Sequence, residues 1–373
     1  MSASRPMSAS PMSASPMNAS PVRANAIWRI AAAVALLAVV AAVPLTSNVT
    51  LVHVGVFVLM YVGMAVSWNI FSGFSGYISL GYAVFFGSGL YTVAIFSKHL
   101  NLTGSTVFAF LPVGAVVAGV IAIPVGLIAL RVRRHTFVVI TIAIFFIFQL
   151  MAYNFGFTGG SAGILPPYLN WDPNTFNNPF YYIALIVAVG SMVLAWGIWG
   201  SRFGLQLRAI RDDEDRARGL GVKTMRVKLI AFVISALIAG VLGGLYFYFQ
   251  QEALPEFAFN PFLDLTIALM VFVGGFGTLW GPVFGALLLE PYLGYAQLQI
   301  SNSYVSEIVL GGLFLFVILV LPRGILPTAR EKLTALRAGQ QRRSAAKGAS
   351  PPSGMTASTV QAGSGSPSTG SMR

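Results

Sequence analysis

The chain has 373 residues, of which 56% are hydrophobic and 9% are charged, and its net charge is +12. This composition excludes an ordinary soluble globular protein, in which charged residues are far more frequent. Because the chain contains no cysteine, disulfides, thiolate chemistry and cysteine-ligated metals are excluded as well.

The apolar residues form continuous runs of about 20, the length that an α-helix needs to cross the hydrocarbon core of a bilayer. We therefore predict an all-α fold, a polytopic transmembrane helical bundle of about ten spans that occupies residues 26–330 and lies in the lipid bilayer. The predicted spans are roughly 27–46, 49–70, 76–97, 106–130, 136–155, 180–200, 227–250, 262–280, 281–298 and 304–322. The boundary between the eighth and ninth spans is the least defined, since almost no gap separates them.

Both ends of the chain have a composition unlike the rest. Residues 1–25 repeat Met-Ser-Ala-Ser-Pro with small variations, and the segment 331–373 becomes rich in Ser, Gly, Ala and Pro. Such segments bury too little apolar surface to offset the entropy of ordering, so both tails are predicted to be disordered. The first apolar run, with Ala-Ala-Val-Pro at 41–44, has the alternative interpretation of a signal peptide.

The basic residues give the orientation. With the N-terminus inside, every one of the 23 Lys and Arg residues except Lys98 falls on an inner segment. Cytoplasmic segments carry the excess of positive charge in membrane proteins. This bias predicts that both termini are cytoplasmic, and it accounts for the net charge without a nucleic-acid partner.

The segment 201–226, which we name the charged loop, concentrates charge between the sixth and seventh spans. A helix over 204–221 would place Asp212 with Arg216, Glu214 with Arg218 and Arg211 with Asp215, each pair four residues apart. The same helix would align Ile210, Ala217 and Gly221 on one face of small or apolar residues. Two interpretations stay open at this point: a helix that docks into a groove of another protein, or an interfacial connector whose arginines meet lipid phosphates.

Within the spans, two groups of uncharged residues stand out. Gly277, Gly281 and Gly285 share one helical face, which favours close helix packing and, as a sharper alternative, helix sliding during transport. Thr141 and Asn154 lie along the fifth span and lead to Thr158, Gly159 and Gly160, so they bond neighbouring helices or line a path.

Carboxylates inside spans are costly and often functional. Asp264 and Glu307 are expected near outer span ends, whereas Glu290 is expected near the middle of its span. An alternative hypothesis is therefore an ion-coupled secondary transporter that uses Glu290 as its carboxylate. The chain has no phosphate-binding Gly-x-x-x-x-Gly-Lys-Ser/Thr motif, no nucleophile and base constellation and no metal-ligand cluster, so it is not expected to be an enzyme.

Several stretches resemble the branched-chain amino acid permeases, specifically the M subunits of leucine/isoleucine/valine uptake systems. Asp215-x-Ala217-x-x-x-Gly221 is similar to the loop by which importer permeases contact their ATPase. The other similar stretches are Asn69 to Tyr91, Thr158-Gly159-Gly160-Ser161-x-Gly163-Ile164, Ser201 to Arg211, Gly274 to Gly285, and Leu321-Pro322-Arg323-Gly324. The resemblance covers roughly residues 27–330. Tyr77, Tyr82 and Ala162 stand where the family often has Gln, His and Asp.

The resemblance implies an ATP-driven importer in the bacterial inner membrane. Its partners would be a homologous second permease, two cytoplasmic ABC ATPases that bind ATP and Mg, and a periplasmic substrate-binding protein, with no cofactor in this chain. The solute would be a branched-chain or related amino acid; urea, short amides or aromatic acids are the alternatives. The residues implied to couple to the ATPase are Arg208, Arg211, Asp215, Ala217 and Gly221. Ser79, Gly81 and Tyr82 join Thr141, Asn154, Thr158, Gly159 and Gly160 as translocation-path or family-motif candidates.

Overall fold

The computed structural model describes residues 35, 37–46, 48–102, 104–166, 171–172, 175–299, 308, 311–312 and 315. Both predicted disordered tails, most of the tenth span and Glu307 lie outside these residues. The helices of the described part are α1 Val49–Trp68, α2 Tyr82–His99, α3 Leu111–Ala129, α4 Arg134–Asn154, α5 Asn177–Gly200, α6 Arg202–Asp212, α7 Glu214–Gly219, α8 Thr224–Gln250, α9 Pro255–Ala258, α10 Pro261–Gly274 and α11 Gly281–Gln299.

Short turns of other helix types extend some of these elements. A π-helical turn, Asn69–Gly73, continues α1, and a 3-10 helix, Gly104–Phe110, leads into α3. Between α1 and α2 the chain is nonhelical over residues 76–81. The start of α2 is therefore set well inside the predicted third span, which was expected to begin at 76.

The prediction of a multi-pass helical membrane protein is confirmed. Six helical stretches of the described residues are long and apolar enough to cross a membrane, and they correspond to the second and to the fourth through eighth predicted spans. Helices α2 and α11 correspond to the third and ninth predicted spans. The total of about ten spans and the cytoplasmic position of both termini remain predictions.

Helix α2 forms the centre of the bundle, and nearly all of its residues from Tyr82 to Ala94 are buried. It packs most extensively against α8, and α3 packs against both. A Cβ atom on Gly89 of α2 would overlap the backbone of Gly240 on α8. Small residues allow such close approach of membrane helices, where van der Waals contact replaces the hydrophobic driving force. On the other side, α1 packs against α5 and α11.

The expectation that Gly277, Gly281 and Gly285 share one helical face is wrong for Gly277. Helix α10 ends at Gly274 and α11 begins at Gly281, so Gly277 lies in the intervening turn with φ of 69°. A positive φ is accessible to glycine because it has no Cβ, and it ends a helix rather than continuing one. Gly285 does face α10, where a Cβ would overlap the backbone of Met270, whereas a Cβ on Gly281 would meet Gly275 and Thr278 in the turn.

Candidate functional site

The charged loop folds as two helices rather than the single helix expected over 204–221, so that expectation is wrong. Asp213 separates α6 from α7 with an extended backbone, φ −156° and ψ 110°. Its carboxylate accepts hydrogen bonds from the backbone N–H groups of Asp215 and Arg216, both at 3.0 Å. Aspartate stabilises a helix start in this way because the first N–H groups have no partner within the helix. The side chain thus begins a new helix where the spacing pattern predicted continuity.

This break also rearranges the expected ion pairs. Of the three predicted, the structure has only Glu214 with Arg218, at 3.5 Å, among the residues it describes. Arg216 instead pairs with Asp213 at 3.0 Å; the Arg216 side chain is largely solvent-exposed and that of Asp213 partly so. Exposed pairs of this kind contribute little to stability.

The small-residue face of the charged loop turns inward. Ile210 and Ala217 are buried, Ala217 to 2% exposure, whereas Gly221 is exposed in a turn with φ of 86°. The outer surface carries Asp215, Arg216 and Leu220, and Leu220 is 85% exposed. We name these three residues the exposed strip. A leucine this open to solvent beside charges is a candidate contact for another protein.

The arginines implied to couple the loop to a partner are mostly engaged within this chain. Arg208 stacks over the Trp199 ring at 4.3 Å and donates to the Trp199 carbonyl at 3.1 Å. Arg211 donates to the Gly73 carbonyl at 3.1 Å and lies 5.2 Å over the Phe276 ring. Burial lowers the pKa of Arg211, although nearby Asp212 opposes this shift. Arg208 and Arg211 therefore hold the loop against the bundle.

Further contacts join the charged loop to two helices and to the nonhelical segment 76–81. Arg134 at the start of α4 donates to the backbone carbonyls of Ile210 and Arg211, each at 2.6 Å. Glu214 pairs with Lys228 of α8 at 2.7 Å and accepts a hydrogen bond from Tyr77. Burial on its own would raise the pKa of Glu214, but the hydrogen bonds from Lys228 and Tyr77 outweigh burial and lower that pKa. Glu214 is thus held in its ionised form.

Four of the translocation-path candidates meet around the start of α2. The Trp68 indole donates to the Ser79 carbonyl at 2.9 Å, and Tyr82 shares a 2.6 Å hydrogen bond with Ser67. Thr141 accepts from the Leu80 N–H at 3.2 Å, and its backbone lies directly beside Gly81. Ser79, Tyr82 and Thr141 are all buried. The nonhelical segment 76–81 is therefore fixed between α1 and α4.

The remaining path candidates lie elsewhere. Asn154 is exposed at the end of α4 and donates to the Leu150 carbonyl of its own helix at 2.8 Å. It is 13 residues from Thr141, about 20 Å along the helix. Thr158 is buried and donates to the Ala152 carbonyl at 2.7 Å, and Gly159 and Gly160 follow with φ of 80° and 58°. This second group forms a turn separate from the start of α2.

Sequence reasoning named Asp264 but did not include it in a candidate site. It was expected near an outer span end, but it is buried in the first turn of α10, where its Oδ1 accepts from the Ala83 N–H at 3.1 Å. Its Oδ2 has no hydrogen-bond partner in the described structure. The signal in the sequence is Asn260-Pro261, a helix start that places Asp264 in the first turn. Glu290, the other carboxylate expected inside a span, is half-buried in α11. Within the described ranges no three His, Cys, Asp or Glu side chains are grouped to hold a metal ion.

Comparisons with known proteins agree with this architecture. The family model described as branched-chain amino acid transport system, permease component, matches residues 50–318. The chain is 29% identical over 329 residues to the high-affinity branched-chain amino acid transport system permease protein LivM of Escherichia coli K12, covering 80% of this chain and 75% of that protein. The corresponding LivM of Salmonella typhimurium LT2 is 29% identical over 335 residues, covering 82% and 76%.

A second type of permease from the same kind of transport system matches a shorter part of the chain. LivH of Salmonella typhimurium LT2 is 30% identical over 148 residues, covering 39% of this chain and 46% of that protein. No solved structure matches the chain. Since the family model extends over most of the sequence and over all of the helices described above, the chain belongs to the family of permease components of branched-chain amino acid transport systems.

Proposed function

We propose that this chain is one permease subunit of an ATP-driven ABC importer in the bacterial inner membrane. It pairs with a homologous second permease, two cytoplasmic ATPases act on it, and a periplasmic binding protein delivers the solute. ATP and Mg are bound and hydrolysed by the ATPases rather than by this chain. The relatives of the LivM and LivH type support the second permease, because both bear permease names from branched-chain amino acid transport systems.

The observation that carries the proposal is the architecture of the charged loop. The exposed strip of Asp215, Arg216 and Leu220 is free to meet a soluble partner. The opposite side of the loop is bonded to α4, α8 and the end of α1 through Arg134, Lys228 and Gly73. A partner that binds the exposed strip therefore acts directly on the membrane helices. ATP shifts access only as far as it stabilises one arrangement of the loop over another.

The proposed solute is a branched-chain or related amino acid, in keeping with the family and its LivM relatives. Tyr82, buried at the start of α2, stands where the resemblance leads one to expect histidine. Urea, short amides and aromatic acids therefore stay as alternatives for this member.

Reconstitution into proteoliposomes tests this function. The permease would be purified with the second permease and the ATPases encoded beside it, and uptake of radiolabelled leucine, isoleucine, valine, urea and phenylalanine would be measured with and without ATP and the binding protein. We expect uptake that requires all components. Equal uptake by this polypeptide alone, driven by an ion gradient and lost in Glu290→Gln, would favour the secondary transporter instead.

A further inference from the structure

One ion pair of the charged loop differs from the others because it is enclosed. Glu214 of α7 and Lys228 of α8 are joined at 2.7 Å, and their side chains are only 17% and 3% exposed. Lys228 Nζ also lies 3.5 Å from the carbonyl of Leu130, at the end of α3, and 4.2 Å from the centre of the Tyr77 ring. The pair therefore joins α7 to the ends of two membrane helices.

Tyr77 adds a third connection. Its hydroxyl donates to the second carboxylate oxygen of Glu214 and accepts a hydrogen bond from Lys228 at 3.2 Å. Tyr77 is buried in the nonhelical segment 76–81, and its ring packs edge-on against Phe137 of α4. Glu214 thus bonds with one oxygen to α8 and with the other to the segment that leads into α2.

The segment 76–81 passes any displacement on to the start of α2. Leu80 is bonded to Thr141, and the Ala83 N–H is bonded to Asp264. Only three residues separate Tyr77 from Gly81, which lies so close to the Thr141 backbone that a Cβ atom would not fit between them. A shift of Tyr77 would therefore displace the residues at which α2, α4 and α10 meet.

The chemistry of the link explains why its members would move together. A buried charge is strongly unfavourable once its partner is removed. Glu214 cannot leave Lys228 and Tyr77 unless water enters or both follow. Arg218 and Arg216, by contrast, are 66% and 86% exposed and exchange their contacts for water readily. Among the ion pairs of the described residues, only Glu214 with Lys228 has both side chains mostly shielded from water.

We propose that Glu214, Lys228 and Tyr77 form a buried link that transmits movement of the charged loop to the segment 76–81 and the start of α2. The three are positioning residues for transport, and the proposal depends on the function proposed above. Without the link, ATPases still bind the exposed strip and still hydrolyse ATP, but the hydrolysis no longer moves the start of α2.

The test uses the assembled transporter in proteoliposomes and measures solute taken up per ATP hydrolysed. Tyr77→Phe removes a single oxygen and leaves the Glu214 and Lys228 pair in place; Glu214→Gln removes the charge. For both we expect the ratio to fall at least about fivefold, the low end of typical coupling between sites, while ATPase activity persists. Tyr182→Phe, on a half-exposed face of α5, and Glu256→Gln, at an exposed position of α9, are the matched controls and should keep the wild-type ratio.

A charge exchange, Glu214→Lys with Lys228→Glu, keeps a buried pair and is expected to recover part of the ratio that Glu214→Gln loses. An unchanged ratio in folded Tyr77→Phe and Glu214→Gln would overturn the link. That result would leave the proposed function standing, because the wild type would still show uptake that requires ATP. Absence of such uptake in the wild type would instead defeat the proposed function itself.

Discussion

Asp264 joins two helices that are far apart in sequence. Its carboxylate sits at the first turn of α2, where backbone N–H groups lack partners within the helix and the helix dipole favours negative charge. The Ala83 N–H uses one oxygen, while the other oxygen has no hydrogen bond in the described structure. We interpret Asp264 as a cap that α10 supplies to α2, which makes its hydrogen-bond acceptor more important than its charge.

Two substitutions separate these roles. Asp264→Asn keeps an acceptor for Ala83, so thermal stability in detergent and ATP-driven uptake should both stay close to wild type. Asp264→Ala leaves the buried N–H unpaired and should lower stability by about 1–3 kcal/mol, measured as a lower melting temperature. If Asp264→Asn folds normally but loses uptake, the charge has a role in transport that capping does not explain.

Gly89 tests the packing of α2 on α8. A Cβ there would overlap the backbone of Gly240, so Gly89→Ala must push two central helices apart. Overpacking of this kind costs about 1–3 kcal/mol, and we expect a clear fall in melting temperature. Gly190→Ala on α5 is the control, because no atom lies within 4 Å of the added methyl group. Equal melting of both variants would contradict the close contact.

At the scale of whole elements, hydropathy predicted most of the helices, since the length of an apolar run reflects the thickness of the bilayer. It did not predict their interruptions. The charged loop contains Asp212, Asp213 and Asp215 within four positions, and each is able to cap a helix. Helical spacing does not indicate which of the three aspartates caps a helix. In the structure Asp213 caps α7. The position of Gly277 in a turn was not predicted for a related reason. The sequence alone does not distinguish a glycine that packs against another helix from a glycine that ends a helix.

The candidate site was predictable only in its outline. The charge cluster marked residues 201–226, but the roles within it depend on contacts that are remote in the sequence. Tyr77 lies 137 positions from Glu214, and Gly73 lies 138 from Arg211. Such pairs leave no periodic pattern. Ala217, predicted to face a partner, is buried by the same fold that leaves Leu220 open.

The exposed strip carries a prediction about assembly. Leu220→Asp places a charge on a side chain that is 85% exposed in the described bundle. We expect the melting temperature of the permease to stay unchanged, while copurification of the ATPase subunits falls by more than about tenfold, because a carboxylate buried without a partner at the contact costs more than the about 1.4 kcal/mol that this factor represents. Leu165→Asp, a similarly exposed leucine after the Thr158 turn, should have no effect. Retained copurification in Leu220→Asp would place the ATPase contact elsewhere.

For the whole molecule, the distribution of basic residues predicts which side of the membrane the charged loop faces. The positive-inside bias predicts that the loop lies in the cytoplasm together with both termini, and that the turn that follows α4 lies outside. The chain offers an unusually direct test, because it has no natural cysteine and every engineered one is unique. Arg216→Cys would report on the charged loop, where the native side chain is 86% exposed, and Leu165→Cys would report on the opposite end.

A maleimide that does not cross membranes should label Leu165→Cys in cells with a permeabilised outer membrane and leave Arg216→Cys unreacted. In inverted inner-membrane vesicles the labelling pattern should be reversed, with Arg216→Cys labelled and Leu165→Cys protected. Labelling of both positions from one side would mean that the helices between them cross the membrane differently from the predicted path. Labelling of Arg216→Cys from outside would remove the charged loop from the reach of any cytoplasmic ATPase, and the coupling proposed through Glu214 would fail with it.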